Sequence, residues 1–354
     1  MNPSLTRLLT AALVVTSLAT FALPTHATIS PPQSSAILAS FSDSSVTDFR
    51  EFLRQLRVSS QPMSRELGPA ISGFLDNDEL SIEQKNQIYR LLGLYTRLKY
   101  GDAAIETLRE LVAIPTFRVE GVAQHDNPEF IKLGNTLKGL AESFNLAFRN
   151  IDNRVYEITL NGTGDEVVGI HAHADVVPAN PQNWVLEDGT RLDPFKVTQV
   201  GNRLYGRGTE DDKNGIVVAL YAMKVIQEEQ LPLARNFKLL VDTTEEIAGD
   251  AIAYYRERNP TPHYNVALDG GYPVVIAEKG YGTVTATFAR RDAQGKGAEI
   301  ISMTGGLAAN QIPLTSVAML VAEHPAELAA SLQKAGSDYR SEEHTSELQS
   351  PVRS

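Results

Sequence analysis

Four short apolar runs in the middle of the chain each end abruptly in an acidic or histidine-bearing motif, and this alternation constrains the fold more than any other feature. Residues 167–170 lead into His171-Ala172-His173-Ala174-Asp175, and Leu204-Tyr205-Gly206-Arg207-Gly208 leads into Thr209-Glu210-Asp211-Asp212-Lys213. Residues 237–241 lead into Thr243-Thr244-Glu245-Glu246, and 266–268 lead into Asp269-Gly270-Gly271. Between them lie helical stretches at 214–227 and 251–258. Such alternation predicts an α/β fold, a mixed and largely parallel sheet with helices on both faces. Open sheets of this kind hold their ligands at the carboxyl ends of the strands, so one sheet edge is expected to gather all four motifs.

Around this centre the chain divides by pattern. Residues 28–45 are Ser- and Pro-rich and read as a loose lead-in. Apolar residues near the 3.6 period predict helices at 46–58, 81–99, 103–112 and 130–144, with a weaker one at 66–75 interrupted by Gly68-Pro69. A strand is expected at 155–160, closed by the turn Asn161-Gly162-Thr163-Gly164. This gives a helical N-terminal extension over 28–100 and a catalytic domain over 101–282. Strands expected at 283–288 and 299–303 then open a smaller inserted α+β domain over 283–339.

The two ends read differently from the middle. Arg7 precedes an apolar run from Leu8 to Leu23, and Thr25-His26-Ala27 offers small residues where a signal peptidase inspects. The run is short for a membrane span and carries Thr10, Thr16, Ser17 and Thr20. The expectation is a signal peptide over 1–27 and a protein exported to the periplasm or medium of a bacterium, with no stable membrane association after cleavage. From Arg340 the composition breaks, and RSEEHTSELQS resembles a translated DNA-sequencing adapter. Residues 340–354 are therefore expected to be an artefact, which removes His344 as a ligand candidate.

Composition narrows the chemistry. The formal net charge of -11 disfavours a nucleic-acid track or an anionic membrane surface and suits cation binding. With no cysteine there is no disulfide framework, thiolate metal site or cysteine nucleophile, so a metal must sit on His, Asp and Glu. In extended backbone His173 and Asp175 share a face, which would let the carboxylate hold one imidazole N–H while the other nitrogen meets a metal. His171 has the same parity and reads as a packed or satisfied strand histidine, and His125, His263 and His324 read as loop residues.

The ordered set His173-Ala174-Asp175-Val176-Val177-Pro178, Trp184, Tyr205-Gly206-Arg207-Gly208-Thr209-Glu210-Asp211-Asp212-Lys213, Glu245-Glu246, Asp269 and Glu278-Lys279-Gly280 resembles the zinc-dependent family of aminoacylases, glutamate carboxypeptidases, carnosinases and bacterial non-specific dipeptidases. The wording is closest to the dipeptidase branch. The resemblance implies two Zn2+ ions, with Mn2+ or Co2+ suiting the same donors. His173 and Asp269 would hold one metal, Asp211 would bridge the pair, Glu246 would hold the second, and Asp175 would orient His173. Glu245 would be the general acid/base, and Asp211–Asp212 would be a cis peptide. The family supplies a further His to the second metal beyond the end of this sequence, so the site in this chain is expected to be incomplete. The implied activity is hydrolysis of dipeptides or short peptides. N-acyl amino-acid deacylation, carboxypeptidase action, and a non-catalytic role in binding peptide or metal are the competing readings.

Overall fold

The computed structural model describes residues 31–41, 46–59, 67–247, 249–270, 275, 285–287, 298–305 and 316–342. The expected signal peptide, the Glu278-Lys279-Gly280 motif and half of the expected strand at 283–288 lie outside these residues.

The chain forms two compact units, Met1–Ala103 and Ala104–Ser354. In the first, α1 (Pro31–Ser40), α2 (Phe49–Val58) and α3 (Leu67–Asp76) precede α4 (Ile82–Val112), which passes from this unit into the second. Asp48 caps α2 by accepting from Glu51 N, as a short acceptor does for the unpaired N–H groups of a first turn. Phe41, Phe49, Phe52, Phe74 and Tyr95 pack ring against ring in this unit. Three expectations are corrected here. The lead-in is helical from Pro31 and buries Ile37, because its apolar residues have a core to enter. The helices expected at 81–99 and 103–112 are one, since Gly101 costs only about 1 kcal/mol in a helix and there is no proline to stop it. Pro69 does not interrupt α3, because it falls in the first turn, where its missing N–H has no helical partner to lose.

In the second unit, α5 (Pro128–Ser143) is followed by β1 (Ala147–Ile151), β2 (Val155–Leu160) and β3 (Val167–His173). A short hairpin of β4 (Thr198–Val200) and β5 (Arg203–Tyr205) precedes α6 (Lys213–Glu228), β6 (Asn236–Asp242), α7 (Asp250–Arg258) and β7 (Tyr264–Ala267). Five strands make one sheet in the order β1-β2-β6-β3-β7. The β6–β3 and β3–β7 pairs are parallel, and the β1–β2 and β2–β6 pairs are antiparallel. The sheet is thus mixed, parallel on one side and antiparallel on the other.

Helices cover both faces. Phe144, next to the end of α5, meets Tyr221 of α6 edge to face, and the Tyr156 hydroxyl on β2 donates to Phe130 O of α5. A Cβ at Gly134 of α5 would collide with the Tyr156 ring, so glycine permits that approach. Val155, one residue away and pointing oppositely, packs with Leu240, Ala251 and Tyr255 against α7. The chain goes from β3 to its neighbour β6 through α6, then reverses through α7 to β7 on the other side of β3. This reversal leaves the carboxyl ends of β3, β6 and β7 side by side, the crevice where open α/β sheets bind ligands.

One expected strand does not belong to this sheet. Among the described residues, 203–205 pair only with β4, so the Asp211 motif reaches the edge from a separate hairpin. Downstream, β8 (Ala298–Gly305) pairs antiparallel with β9 (Ser316–Ala322), and α8 (Pro325–Glu342) follows. The strand expected at 299–303 is therefore present and longer, and β1, β9 and α8 had no forerunner in the sequence reading. No helix among the described residues is long and apolar enough to cross a membrane.

Candidate metal centre

His173 is the last residue of β3 and pairs with Asp242, the last of β6. Just beyond β6 come Glu245 and Glu246, and two residues beyond β7 comes Asp269. Asp211 arrives through Gly208, whose φ of +88° suits glycine, and through a cis Asp211–Asp212 peptide immediately before α6. Three strand ends and one helix start thus bring five side chains to one place.

His173 Nε2 lies 2.7 Å from Asp211 Oδ1, 3.6 Å from Asp269 Oδ2 and 3.9 Å from Glu245 Oε2. Two overlapping groups of potential ligand atoms result, His173 with Glu245 and Asp269, and His173 with Asp211 and Glu246, each within 4.8 Å of one another. His173 is buried, whereas the Asp211, Glu245 and Asp269 side chains are 58%, 49% and 38% exposed. One anchored imidazole therefore faces carboxylates open to an incoming molecule. The residues that the motifs singled out as ligands or base are brought together, and Asp175 lies behind His173, where its carboxylate has another task.

That task is to hold the glutamate turn. The His173 Nδ1 lies 2.9 Å from the backbone oxygen of Asp175 and 3.5 Å from its Oδ1, so the main chain is the nearer acceptor. The Asp175 carboxylate accepts from Glu245 N at 3.1 Å and from Glu246 N at 3.0 Å. β3 ends at His173, so the strand parity that suggested a direct carboxylate–imidazole bond no longer applies at residue 175. His171 bonds Asn265 through Nε2 at 2.7 Å and belongs to neither ligand group.

Several supporting groups escaped the sequence reading. Asp212, fully buried, accepts from Gly215 N as the cap of α6 and from His173 N. Asp242 Oδ1 accepts from Thr244 N, and Gln124 Nε2 donates to Thr243 O, fixing the same turn that Asp175 holds. Lys213, also fully buried, donates to Leu111 O at 2.9 Å and to Ile114 O at 2.6 Å. An ammonium bonded to carbonyls at the end of a helix is favourably placed against the helix dipole. The adjacent Thr116 donates through Oγ1 to Ala174 O, so residues 111–116 tie the His173 strand to the Asp211 turn. The signal was present as Lys213 at the end of the acidic motif, but sequence cannot say where a lysine points.

Electrostatics test whether this set suits a cation. Burial works against a charged His173, yet hydrogen bonding and charge from Asp175 and Asp211 outweigh it and push the imidazole up to about 11. Burial, together with the charges of Asp269, Glu246 and Asp175, raises Glu245 to about 6. Burial, with Asp269 adding to it, raises Asp212 to about 7. Acceptors crowded together hold protons to relieve their repulsion, and a divalent cation relieves it better. Imidazole nitrogen and carboxylate oxygen are good ligands for zinc. The residues present fit a metal cation, and His173 is the member common to both groups.

A family model described as Peptidase family M20/M25/M40 matches residues 169–351. The protein YtjP of Bacillus subtilis (strain 168) is 30% identical over 186 residues, which cover 52% of this chain and 38% of YtjP. A Beta-Ala-Xaa dipeptidase of Lactobacillus delbrueckii subsp. lactis is 34% identical over 135 residues, 38% of this chain and 27% of that protein. The crystal structure of human carnosine dipeptidase 1 matches with a TM-score of 0.43 at 21% identity, over 51% of this chain and 40% of that one. The chain thus spans less than half the length of the relatives it matches.

Proposed function

Because the chain belongs to the peptidase family M20/M25/M40, we propose that the protein hydrolyses dipeptides or short peptides at the carboxyl edge of its sheet, with two zinc ions held there. The observation that carries this reading is the convergence of His173 Nε2 with Asp211, Glu245, Glu246 and Asp269 oxygens in two overlapping groups. The naming of a similar protein as a dipeptidase favours short peptides as substrates.

His173 and Asp269 would hold one ion, Glu246 the other, and Asp211 both. When bound, the pair supplies Lewis acidity that polarises a carbonyl and acidifies water. Glu245 takes the water proton at Oε2 and returns it to the departing amine, a step that typically contributes about 10²–10⁴-fold. Its raised pKa of about 6 suits a group that must both accept and release a proton near neutrality. Asp175 holds the backbone of Glu245 and Glu246 at two adjacent N–H groups, so base and ligand move as one unit. The Asp175 main-chain oxygen holds His173 Nδ1, which leaves Nε2 facing the acids.

The decisive measurement is zinc stoichiometry and initial rate on a panel of dipeptides, longer peptides and N-acyl amino acids, using the full-length gene product. Two zinc ions per chain with turnover confined to dipeptides supports the reading, and turnover without metal overturns it. We also propose export, on the strength of the apolar run at Leu8–Leu23 and the small residues Thr25 and Ala27. N-terminal sequencing of the mature protein should start near Thr28, and a mature start at Met1 refutes export.

A further inference from the structure

Lys213 is a fully buried cation to which the proposed chemistry assigns no role. It is the first residue of α6, two positions after Asp211. Its Nζ donates to Leu111 O at 2.9 Å and to Ile114 O at 2.6 Å, and among the described residues its hydrogen bonds go to these carbonyls. Its stem lies against the turn that delivers Asp211, where a Cβ on Gly208 would meet Lys213 Cδ at 3.2 Å. Ile114 O also accepts from Thr116 N at 2.9 Å. Thr116 in turn donates through Oγ1 to Ala174 O at 2.6 Å, and its carbonyl accepts from Val176 N at 2.9 Å. Asp212 Oδ2 accepts from His173 N at 3.3 Å. These contacts close a ring that runs His173, Ala174, Thr116, Ile114, Lys213, Asp212 and back to His173. One side of the ring carries the His173 imidazole and the other carries Asp211, with Nε2 and Oδ1 2.7 Å apart.

We propose that Lys213 is a positioning residue for the metal centre: by clamping the end of α4 it fixes the Asp211 turn against the end of the His173 strand, so that the ligand atoms are set before a cation arrives. This rests on the metallopeptidase reading. Ligand carboxylates repel one another until a cation joins them, so a turn held only by its own backbone would let Asp211 swing away. An ammonium resists this through charge-assisted bonds, and carbonyls at the end of a helix are favourable acceptors for it. The choice of carbonyls also matters. An ion pair would have withdrawn a carboxylate from the ligand set, whereas bonding to backbone oxygens leaves His173, Asp211, Glu245, Glu246 and Asp269 free to face a cation. Lys213 touches neither metal nor substrate in this scheme and acts through Asp211 alone.

The test measures zinc affinity by competition with a chromogenic chelator on the full-length protein, with unfolding midpoints taken separately in the absence of metal. Lys213→Met keeps the stem and removes the donors, and should weaken zinc by roughly 10- to 100-fold, the cost typical of groups that orient metal ligands. Thr116→Val cuts the same ring at its other side and should weaken zinc too, while Thr116→Ser, which keeps the hydroxyl, should match wild type. The double variant Lys213→Met/Thr116→Val should be little weaker than Lys213→Met, because members of one network do not add. Glu157→Gln, in a separate buried cluster with Arg149 and Lys238, measures what a general loosening of the fold does, and should leave zinc affinity near wild type. Unchanged affinity in Lys213→Met overturns the proposal and leaves the metal reading standing. An affinity loss that Glu157→Gln reproduces at a similar midpoint also overturns it, as do losses from the two single variants that simply add. If Lys213→Met does not fold, the Thr116 pair decides, and equal affinity in Thr116→Val and wild type overturns the ring. No zinc binding by wild type overturns the metal reading itself, and the proposal with it.

Discussion

At the antiparallel side of the five-stranded sheet, Glu157 is buried among positive groups, whereas at the carboxyl edge of the parallel side acids crowd around His173. Glu157 lies 3.1 Å from Arg149 Nη1 and 3.2 Å from Lys238 Nζ, and accepts from the Tyr255 hydroxyl at 2.5 Å. Burial pushes its carboxyl up, but the phenol and the two cations more than reverse this, and the group sits below its ordinary value. Glu245, Asp212 and Asp242 are pushed the other way, first by burial. The first cluster is neutralised by the protein itself. The second surrounds the candidate ligand groups and keeps its proton affinity raised, and the contrast separates a structural charge network from a candidate site.

The largest effect that could break this contrast is catalytic. In the full-length protein Glu245→Gln should lower kcat by about 10²-fold or more, because glutamine keeps the shape but cannot take the proton. Its zinc content should stay near that of wild type. Asp211→Asn should lose zinc and activity together, since it removes from the His173–Asp211–Glu246 group the carboxylate that lies 2.7 Å from His173 Nε2. If Glu245→Gln lost its zinc while Asp211→Asn kept two, base and bridging ligand would be exchanged.

The next effect sharpens the contrast through stability. A ligand at 100 times its Kd stabilises the state that binds it by about 2.7 kcal/mol. Titrating zinc should therefore raise the unfolding midpoint of wild type, and chelation should reverse the gain. The same increment should appear in Glu157→Gln, because the two clusters share none of the contacts named above and distant sites add. Asp211→Asn should gain little. An equal zinc response in Asp211→Asn would place the metal elsewhere.

Much of this edge was legible in the sequence, and the reasons are local. His173, Glu245, Glu246 and Asp269 follow apolar runs that form strands, and a strand end fixes where its next residues go. Asp211 was legible as a residue but not by its route, because 203–205 has the look of a sheet strand and pairs, among the described residues, in a hairpin with β4. Asp175 was read by strand parity, but it lies two residues past the strand end, and its carboxylate, 3.5 Å from His173 Nδ1, also takes the N–H groups of Glu245 and Glu246. Lys213, Asp242 and Gln124 support the site through bonds spanning 2 to 119 positions. The long ones among these have no signature in residue spacing. Glu157 was invisible for the opposite reason: in a strand of apolar and hydroxyl residues one glutamate reads as an exposed position, until a tyrosine 98 residues away closes over it.

The smallest effect belongs to Glu157 and fixes the sign of its pH dependence. Its folded pKa is lowered, so the unfolded chain binds more protons than the folded one in the range between the two values, and stability rises with pH there. The contribution is complete above the ordinary carboxylate value of about 4.3 and is lost as pH falls through the folded value. Glu157→Gln removes the charge, leaves Arg149 and Lys238 without their shared anion, and should cost about 1–3 kcal/mol at neutral pH. That cost should shrink as pH falls below 4, because wild type loses by protonation what the variant has already lost. Urea midpoints for both proteins at pH 7 and at two values below 4, with metal chelated so that the centre does not contribute, give the comparison. A gap that stays constant or widens toward acid would mean that Glu157 is not held as an anion, and that the two ends of the sheet do not differ in the way their charges are compensated.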